Sequence, residues 1–241
     1  MKNILVTGVS KGLGFEIAQV ILESDNCVWG VSRTRTGNIE KLLNKYPNSF
    51  KWKEFDLKNV QKTNDELFKN FINFDIKLHG YVNNAALAYD DIISNLQLEP
   101  LEIMYKVNVF SPMMITKYVI RNMLLHRIKG SIIHISSISV HTGYKGLAMY
   151  ASTKGALEAF SKNTAREWGI RGICSNCIVA GFMETAMSSS LTQEQKNRIF
   201  NRTSLKKATN PKSVAETVNF LLTDKATSIT GQNIFVDSGT I

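Results

Sequence analysis

Short continuous apolar runs alternate with amphipathic stretches along the whole chain, and that alternation sets the expected architecture. Residues 3–7 (NILVT) are the first such run. They break into GVSKGLG and then FEIAQVILES, where Ile17, Val20 and Ile21 recur at helical spacing. A run of that length bounded by glycines predicts a buried parallel strand, a tight turn and a helix. The unit then repeats: strand CVWGVS at 27–32, a helical stretch at 38–46, strand SFKWKEF, and helix-like residues at 60–73. Strand HGYVNNAA at 79–86 follows, then a long helical pattern from Leu101 to Arg127, interrupted near Ser111-Pro112. A strand ending at Ser137, a helix from Tyr150 and strand ICSNCIVAG come next; residues 211–223 predict a helix with proline in its first turn, and QNIFVDSG the last strand. Neither linker nor repeat breaks the series. The expectation is one α/β domain over 1–241, a doubly wound parallel sheet with helices on both faces. Residues 182–210 have weak periodicity and are expected to form a lid over a substrate.

Composition narrows the class. Of 241 residues, 44% are hydrophobic, enough for a full core and against a disordered chain. Lys+Arg 29 against Asp+Glu 20 gives a net charge of +9, but the basic residues are scattered with no run of five or more. That pattern argues against a nucleic-acid reader and for a basic surface that attracts an acidic cofactor or carrier. Cys174 and Cys177 form a C-x-x-C inside a strand whose alternate residues face opposite ways, and no second pair accompanies it, so a zinc site is not expected. The first apolar run is too short for a signal peptide and no segment approaches a membrane span. A soluble, cytoplasmic protein is expected.

Candidate chemistry falls at the ends of the predicted strands. Gly8, Gly12 and Gly14 allow a tight turn close to a pyrophosphate, which would rest on the amides opening the first helix. Arg33 ends the second strand, where a dinucleotide fold meets the adenosine ribose, and Lys11 lies in the glycine turn. Two cations without an acid favour a 2′-phosphate, hence NADP(H) over NAD(H). Asp56, at another strand end, is placed to bond an adenine amino group. Asn83 and Asn84 end an apolar run, where their amides need partners and would shape the cofactor floor. Tyr150 and Lys154, four residues apart on one helix, leave the same face. Such a pair is also an ordinary helix contact. As chemistry, an ammonium about 4 Å from a phenol, at an effective dielectric of about 20, supplies roughly the 4 kcal/mol needed to bring its pKa from near 10 to about 7. Ser137, thirteen residues upstream, ends a strand and offers a hydroxyl to a carbonyl oxygen.

Thr7-Gly8-x-x-x-Gly12-x-Gly14, Asp56, Asn83-Asn84-Ala85, Asn108, Ser137, Tyr150-x-x-x-Lys154 and Ala180-Gly181-x-x-x-Thr185 stand in one order. In that order and spacing the chain resembles the classical short-chain dehydrogenase/reductase family, end to end. The resemblance implies a Rossmann-type fold and hydride transfer between NAD(P)H and a carbonyl or alcohol. It implies Tyr150 as acid/base, Ser137 as orienter of the carbonyl, Lys154 as binder of the nicotinamide ribose, and Asn108 as holder of a relay water. The cofactor site it implies takes in Thr7, Gly8, Ser10, Lys11, Gly12, Leu13, Gly14, Arg33, Asp56, Leu57, Asn84, Ala85, Tyr150, Lys154, Gly181, Met183 and Thr185. Ala86 and Ala180 stand where the family commonly has glycine and proline; the first adds a methyl near the cofactor, the second is expected to loosen the turn before the lid. Within the family the chain is most similar to the 3-oxoacyl-[acyl-carrier-protein] reductases, through YASTKGALEAFSKNTAREW, GFMETAM and SITGQNIFVDSG. That implies reduction of a carrier-bound 3-oxoacyl thioester in fatty-acid or polyketide-type synthesis, by a homo-oligomer (tetramer or dimer), with Arg127, Lys129 and Arg171 facing the acidic carrier. Other readings are a dehydrogenase for a sugar, polyol or other small carbonyl, and a non-catalytic NADP(H)-binding regulator. In the lid, Met183, Met187, Leu191 and Ile199 lean towards an apolar substrate chain.

Overall fold

Seven strands form one sheet in the order β3-β2-β1-β4-β5-β6-β7, every neighbouring pair parallel. The computed structural model describes residues 1–73, 75–184 and 192–241. The strands are β1 (Asn3–Thr7), β2 (Cys27–Ser32), β3 (Phe50–Glu54), β4 (Leu78–Asn83), β5 (Ser131–Ser137), β6 (Cys174–Ala180) and β7 (Asn233–Val236). Parallel neighbours need long crossovers. Here these are α1 (Gly12–Glu23), α2 (Gly37–Lys45), α3 (Leu98–Tyr105), α4 (Ser111–Leu125), the short α5 (Ser139–Thr142), α6 (Ala148–Trp168), α7 (Gln193–Arg202) and α8 (Pro211–Leu221).

The apolar strands are buried because helices cover both faces. On one side Ile17 and Ile21 of α1 and Val214 and Val218 of α8 pack with Ile4, Val6 and Val82 of the sheet. On the other, Leu67, Ile115, Val119 and Met123 pack with Leu5, Tyr81 and Ile132. Complete burial of each such side chain contributes about 1.5–3 kcal/mol. Helix contact with the sheet is close enough at Gly80 that a Cβ there would meet Leu222 Cδ2 at 2.5 Å.

Strand order reverses direction between β1 and β4: from β1 the chain winds outward to β2 and β3, and from β4 outward to β7. At that switch point the carboxyl ends of the central strands leave a crevice, the place where open α/β sheets bind ligands. The expected strands and helices are present with small shifts of boundary. Residues 60–73 are less regular than expected, a 3-10 turn at Val60–Lys62 running into a π-helical stretch at Thr63–Lys69. The interruption of the long helix lies before Pro112 rather than at it: Lys106–Phe110 is a π-helical widening, and Pro112 sits in the first turn of α4. Within the segment expected as a lid, Thr192 and Gln195 form a capping box that starts α7. Thr185, Met187 and Leu191 lie outside the described residues.

Candidate active site

The glycine turn is tight and closely packed. Gly8 and Gly12 have φ of 78° and 57°, in the region that favours glycine. A Cβ on Gly14 would stand 2.1 Å from the Gly8 carbonyl oxygen, and one on Gly8 would meet Asn84 Nδ2 at 2.8 Å. The turn is therefore closed against β4, and no larger residue fits. Lys11 precedes α1 in extended conformation and gives no side-chain cap, so the first amides of α1 face the crevice without a protein acceptor from that residue. These features fit a pyrophosphate.

Thr7 joins the two central strands. Its buried hydroxyl accepts from the amides of Asn84 and Ala85, both at 3.2 Å, while Asn84 Nδ2 donates to the Thr7 carbonyl at 3.0 Å. Asn84 thus bonds neighbouring backbone, as expected. Asn83 differs: its amide meets the His134 ring at 3.3 Å rather than backbone, and its Oδ1 has no partner among the described residues. Burial, with the Lys154 charge nearby, pushes His134 down to about 3, so the imidazole is neutral.

Arg33 and Lys11 are both exposed and both line the crevice. Arg35, two residues on, is instead engaged by the Glu40 carboxylate and lies over the Trp52 ring. Ser10 is held from the same side: Thr36 Oγ1 donates to its carbonyl at 2.9 Å and Asn38 Nδ2 at 3.3 Å. Sequence reasoning missed these two residues, although a Thr and an Asn flanking a glycine before a helix are a turn signal. Asp56 accepts from the Lys58 amide at 2.9 Å through Oδ1, and Leu57 next to it accepts the Ser111 hydroxyl at 2.7 Å. Leu13, Leu57, Ala85, Gly181 and Met183 line the same cleft, which has a volume of about 930 Å³. Gly181 crosses closely over the C-terminal segment, where a Cβ would meet Thr209 Oγ1 at 2.3 Å and Asp237 Cα at 2.6 Å. Ala180 does not loosen a turn: it continues β6, in register with Ser137 and Val236.

The candidate reacting groups also reach the cleft. Tyr150, Lys154 and Ser137 all line the cleft. Ser137 accepts from the Ser139 amide at 3.2 Å and the Ser139 hydroxyl at 3.0 Å, which leaves its own proton for a ligand. Asn108, in the π-helical widening, is fully engaged: Oδ1 accepts from the Leu87 amide at 2.8 Å, and Nδ2 donates to the Leu87 carbonyl at 2.8 Å and to Thr153 Oγ1 at 3.0 Å. Its side chain fixes the loop after β4 against α6.

The Tyr150–Lys154 electrostatics differ from the sequence expectation. Lys154 is buried, donates to the Ile135 carbonyl at 2.7 Å, and places Nζ 5.6 Å from the centre of the Tyr150 ring. Burial, and then the Asp90 carboxylate, raise the Tyr150 phenol above its ordinary value instead of lowering it. Burial in turn pushes Lys154 down to about 8, partly offset by Cys177. Asp90, whose own carboxyl is raised by burial, was not legible as a site residue because its approach to Tyr150 is tertiary.

Arg127, Lys129 and Arg171 are exposed and lie together, Lys129 against Gly172, whose Cβ would meet Lys129 Cγ at 2.7 Å. They precede the first residues of β5 and β6, at the opposite end of the sheet from the cleft.

A family model described as Enoyl-(Acyl carrier protein) reductase matches residues 8–240 of this chain. The chain belongs to the short-chain dehydrogenase/reductase family. It is 32% identical, over 99% of its length and 96% of theirs, to the 3-oxoacyl-[acyl-carrier-protein] reductases FabG of Buchnera aphidicola subsp. Baizongia pistaciae and of Aquifex aeolicus. Among solved structures it superposes on a 4-hydroxyisoleucine dehydrogenase complexed with NADH, with TM-score 0.93 and 24% identity, covering 100% of this chain and 98% of the other. ElxO with NADP bound superposes with TM-score 0.86 at 24% identity, covering 99% and 98%. The chain is accordingly an oxidoreductase of a family that uses a nicotinamide cofactor. No helix among the described residues is long and apolar enough to cross a membrane.

Proposed function

We propose that this enzyme reduces a 3-oxoacyl thioester, presented on an acyl carrier protein, to the 3-hydroxyacyl thioester with NADPH. The observation that supports this most is full-length similarity to 3-oxoacyl-[acyl-carrier-protein] reductases, joined to a cleft lined by Ser137, Tyr150 and Lys154. The cofactor, when bound, supplies the hydride. Thr7, the glycine turn, Asp56 and Asn84 hold it, and Lys11 and Arg33 supply two cations for a 2′-phosphate. Ser137 donates its free proton to the substrate carbonyl oxygen and orients it. Tyr150 gives that oxygen its proton; a phenol held above its ordinary value is in the acid form at neutral pH, as reduction requires. Lys154, positive below about pH 8, favours the phenolate left behind.

The basic group Arg127, Lys129 and Arg171 suits an acidic carrier protein. In one subunit it is separated from the cleft by the seven residues of β5, roughly 23 Å of strand. A carrier docked there serves the cleft of a neighbouring copy, and a homo-oligomer is part of this reading. A polar small-molecule substrate is the second reading, favoured by Asp90, Arg198 and Arg202 at the cleft. A panel with NADPH and NADH side by side decides between them. Turnover of acetoacetyl-CoA or a carrier-bound 3-oxoacyl chain, with NADPH preferred, supports the first reading. Turnover of sugars or polyols alone overturns it.

A further inference from the structure

Beside the reacting groups lies a buried carboxylate that none of the steps above uses. Glu158 is 8% exposed, one helical turn beyond Lys154 on α6. It accepts the Ser136 hydroxyl on Oε1. It accepts Asn233 Nδ2 on Oε2 at 2.7 Å, and the His141 ring approaches both oxygens, with Nε2 at 3.2 Å from Oε1 and 3.1 Å from Oε2. Both oxygens accept, so the His141 Nε2 carries the proton. The His141 ring is fixed from its other side by Phe235 of β7, edge-on at 5.0 Å between centres.

Three separate elements are therefore tied to one carboxylate: the end of β5 through Ser136, the far end of α5 through His141, and edge strand β7 through Asn233. Ser137 stands between the first two. It follows Ser136 directly, and its hydroxyl is held by Ser139, the first residue of α5. Lys154 and Glu158 likewise grip consecutive residues of β5, the Ile135 carbonyl and the Ser136 hydroxyl. A buried carboxylate is costly unless fully bonded, and here the bonds to Ser136 and His141 land on the two segments that flank Ser137, the end of β5 and α5, while the bond to Asn233 ties in the edge strand.

We infer that Glu158 is a positioning residue, holding the Ser137 hydroxyl in register with Tyr150 by clamping β5, α5 and β7 together. This rests on the reductase reading for the role of Ser137, while the clamp itself is read from the hydrogen bonds. Displacement of a reacting group by about 1 Å costs on the order of a hundredfold in rate.

The test compares wild type with Glu158→Gln, which keeps the side-chain volume but puts a donor where Oε2 accepts. With acetoacetyl-CoA and NADPH, kcat should fall about tenfold to a hundredfold, while KM for the thioester and the NADPH dissociation constant stay within about twofold. Ser136→Ala and Glu158→Gln should also be non-additive in kcat. Unchanged kcat with only a lower melting temperature overturns the proposal, as does loss of NADPH binding in step with kcat. If wild type fails to reduce acetoacetyl-CoA, the substrate reading fails, and crystal structures of the two proteins still decide the clamp. Ser137 Oγ displaced relative to Tyr150 supports it, and Ser137 unmoved overturns it.

Discussion

Replacing Lys154 by methionine should make the protein more stable and nearly inactive at once. The side chain is 2% exposed, and burial lowers its pKa from 10.5 to about 8. At about 1.4 kcal/mol per pH unit, burying the ammonium costs roughly 3 kcal/mol. Methionine removes that cost and fills similar volume, but forfeits the bond to the Ile135 carbonyl, worth about 1 kcal/mol net. The expected gain of about 2 kcal/mol corresponds to a rise of about 4–8 °C in melting temperature for a chain of this size. The sign of its pH dependence follows from the lowered value. Below about pH 8 both folded and unfolded chains hold the proton, and the cost is fully present. Between about 8 and 10.5 only the unfolded chain holds it, so wild-type stability rises relative to the variant and the difference closes. Melting curves of both proteins at several pH values from 7 to about 10.5 read this directly, and a reductase assay reports the loss of turnover. A variant less stable than wild type at pH 7, or a difference that does not shrink as pH rises, would show that the buried ammonium is not a net cost to the fold.

Other outcomes follow from the same geometry. Arg33→Ala and Lys11→Ala should each weaken NADPH binding about tenfold or more while leaving NADH nearly unchanged, since a charge-assisted bond is worth about 1.5–3 kcal/mol; fluorescence titration of both cofactors checks it. Gly14→Ala should prevent cofactor binding, because its Cβ would stand 2.1 Å from the Gly8 carbonyl, and calorimetry with NADPH should then show no heat. Asn108→Ala leaves both backbone groups of Leu87 without their partner, and should cost about 2–4 kcal/mol in denaturant unfolding. For the free enzyme, kcat/KM for reduction should be flat below about pH 8 and fall above it as Lys154 loses its proton. Asp90→Asn removes one of the two causes that raise Tyr150, so the rate in the oxidation direction should climb at lower pH than in wild type.

Legibility in the sequence followed locality. The unit from β1 through the glycine turn to α1 could be read because an apolar run, three glycines and a helical stripe are consecutive. Tyr150 and Lys154 could be placed on one face because four residues make one turn. The partner of Lys154 could not: its ammonium goes to the carbonyl of Ile135, on another element, and the phenol it was expected to acidify is raised by burial and by Asp90. Arg33 and Arg35 look alike in sequence, and only the fold shows Glu40 engaging one and leaving the other at the cleft. The interruption expected near Ser111-Pro112 is a π-helical widening at Lys106–Phe110, because hydrophobic periodicity does not distinguish one extra residue per turn from a kink. Asn83 was expected to bond backbone, but its partner His134 comes from the adjacent strand, a pairing that depends on sheet register.

The role of Tyr150 as proton donor is decided by Tyr150→Phe, with NADPH binding followed by fluorescence and acetoacetyl-CoA reduction by the loss of NADPH absorbance in the same preparation. NADPH should bind as tightly as to wild type while reduction falls by about a thousandfold or more, the contribution of a positioned proton donor being about 10²–10⁴. Reduction at the wild-type rate by the phenylalanine variant would contradict that role.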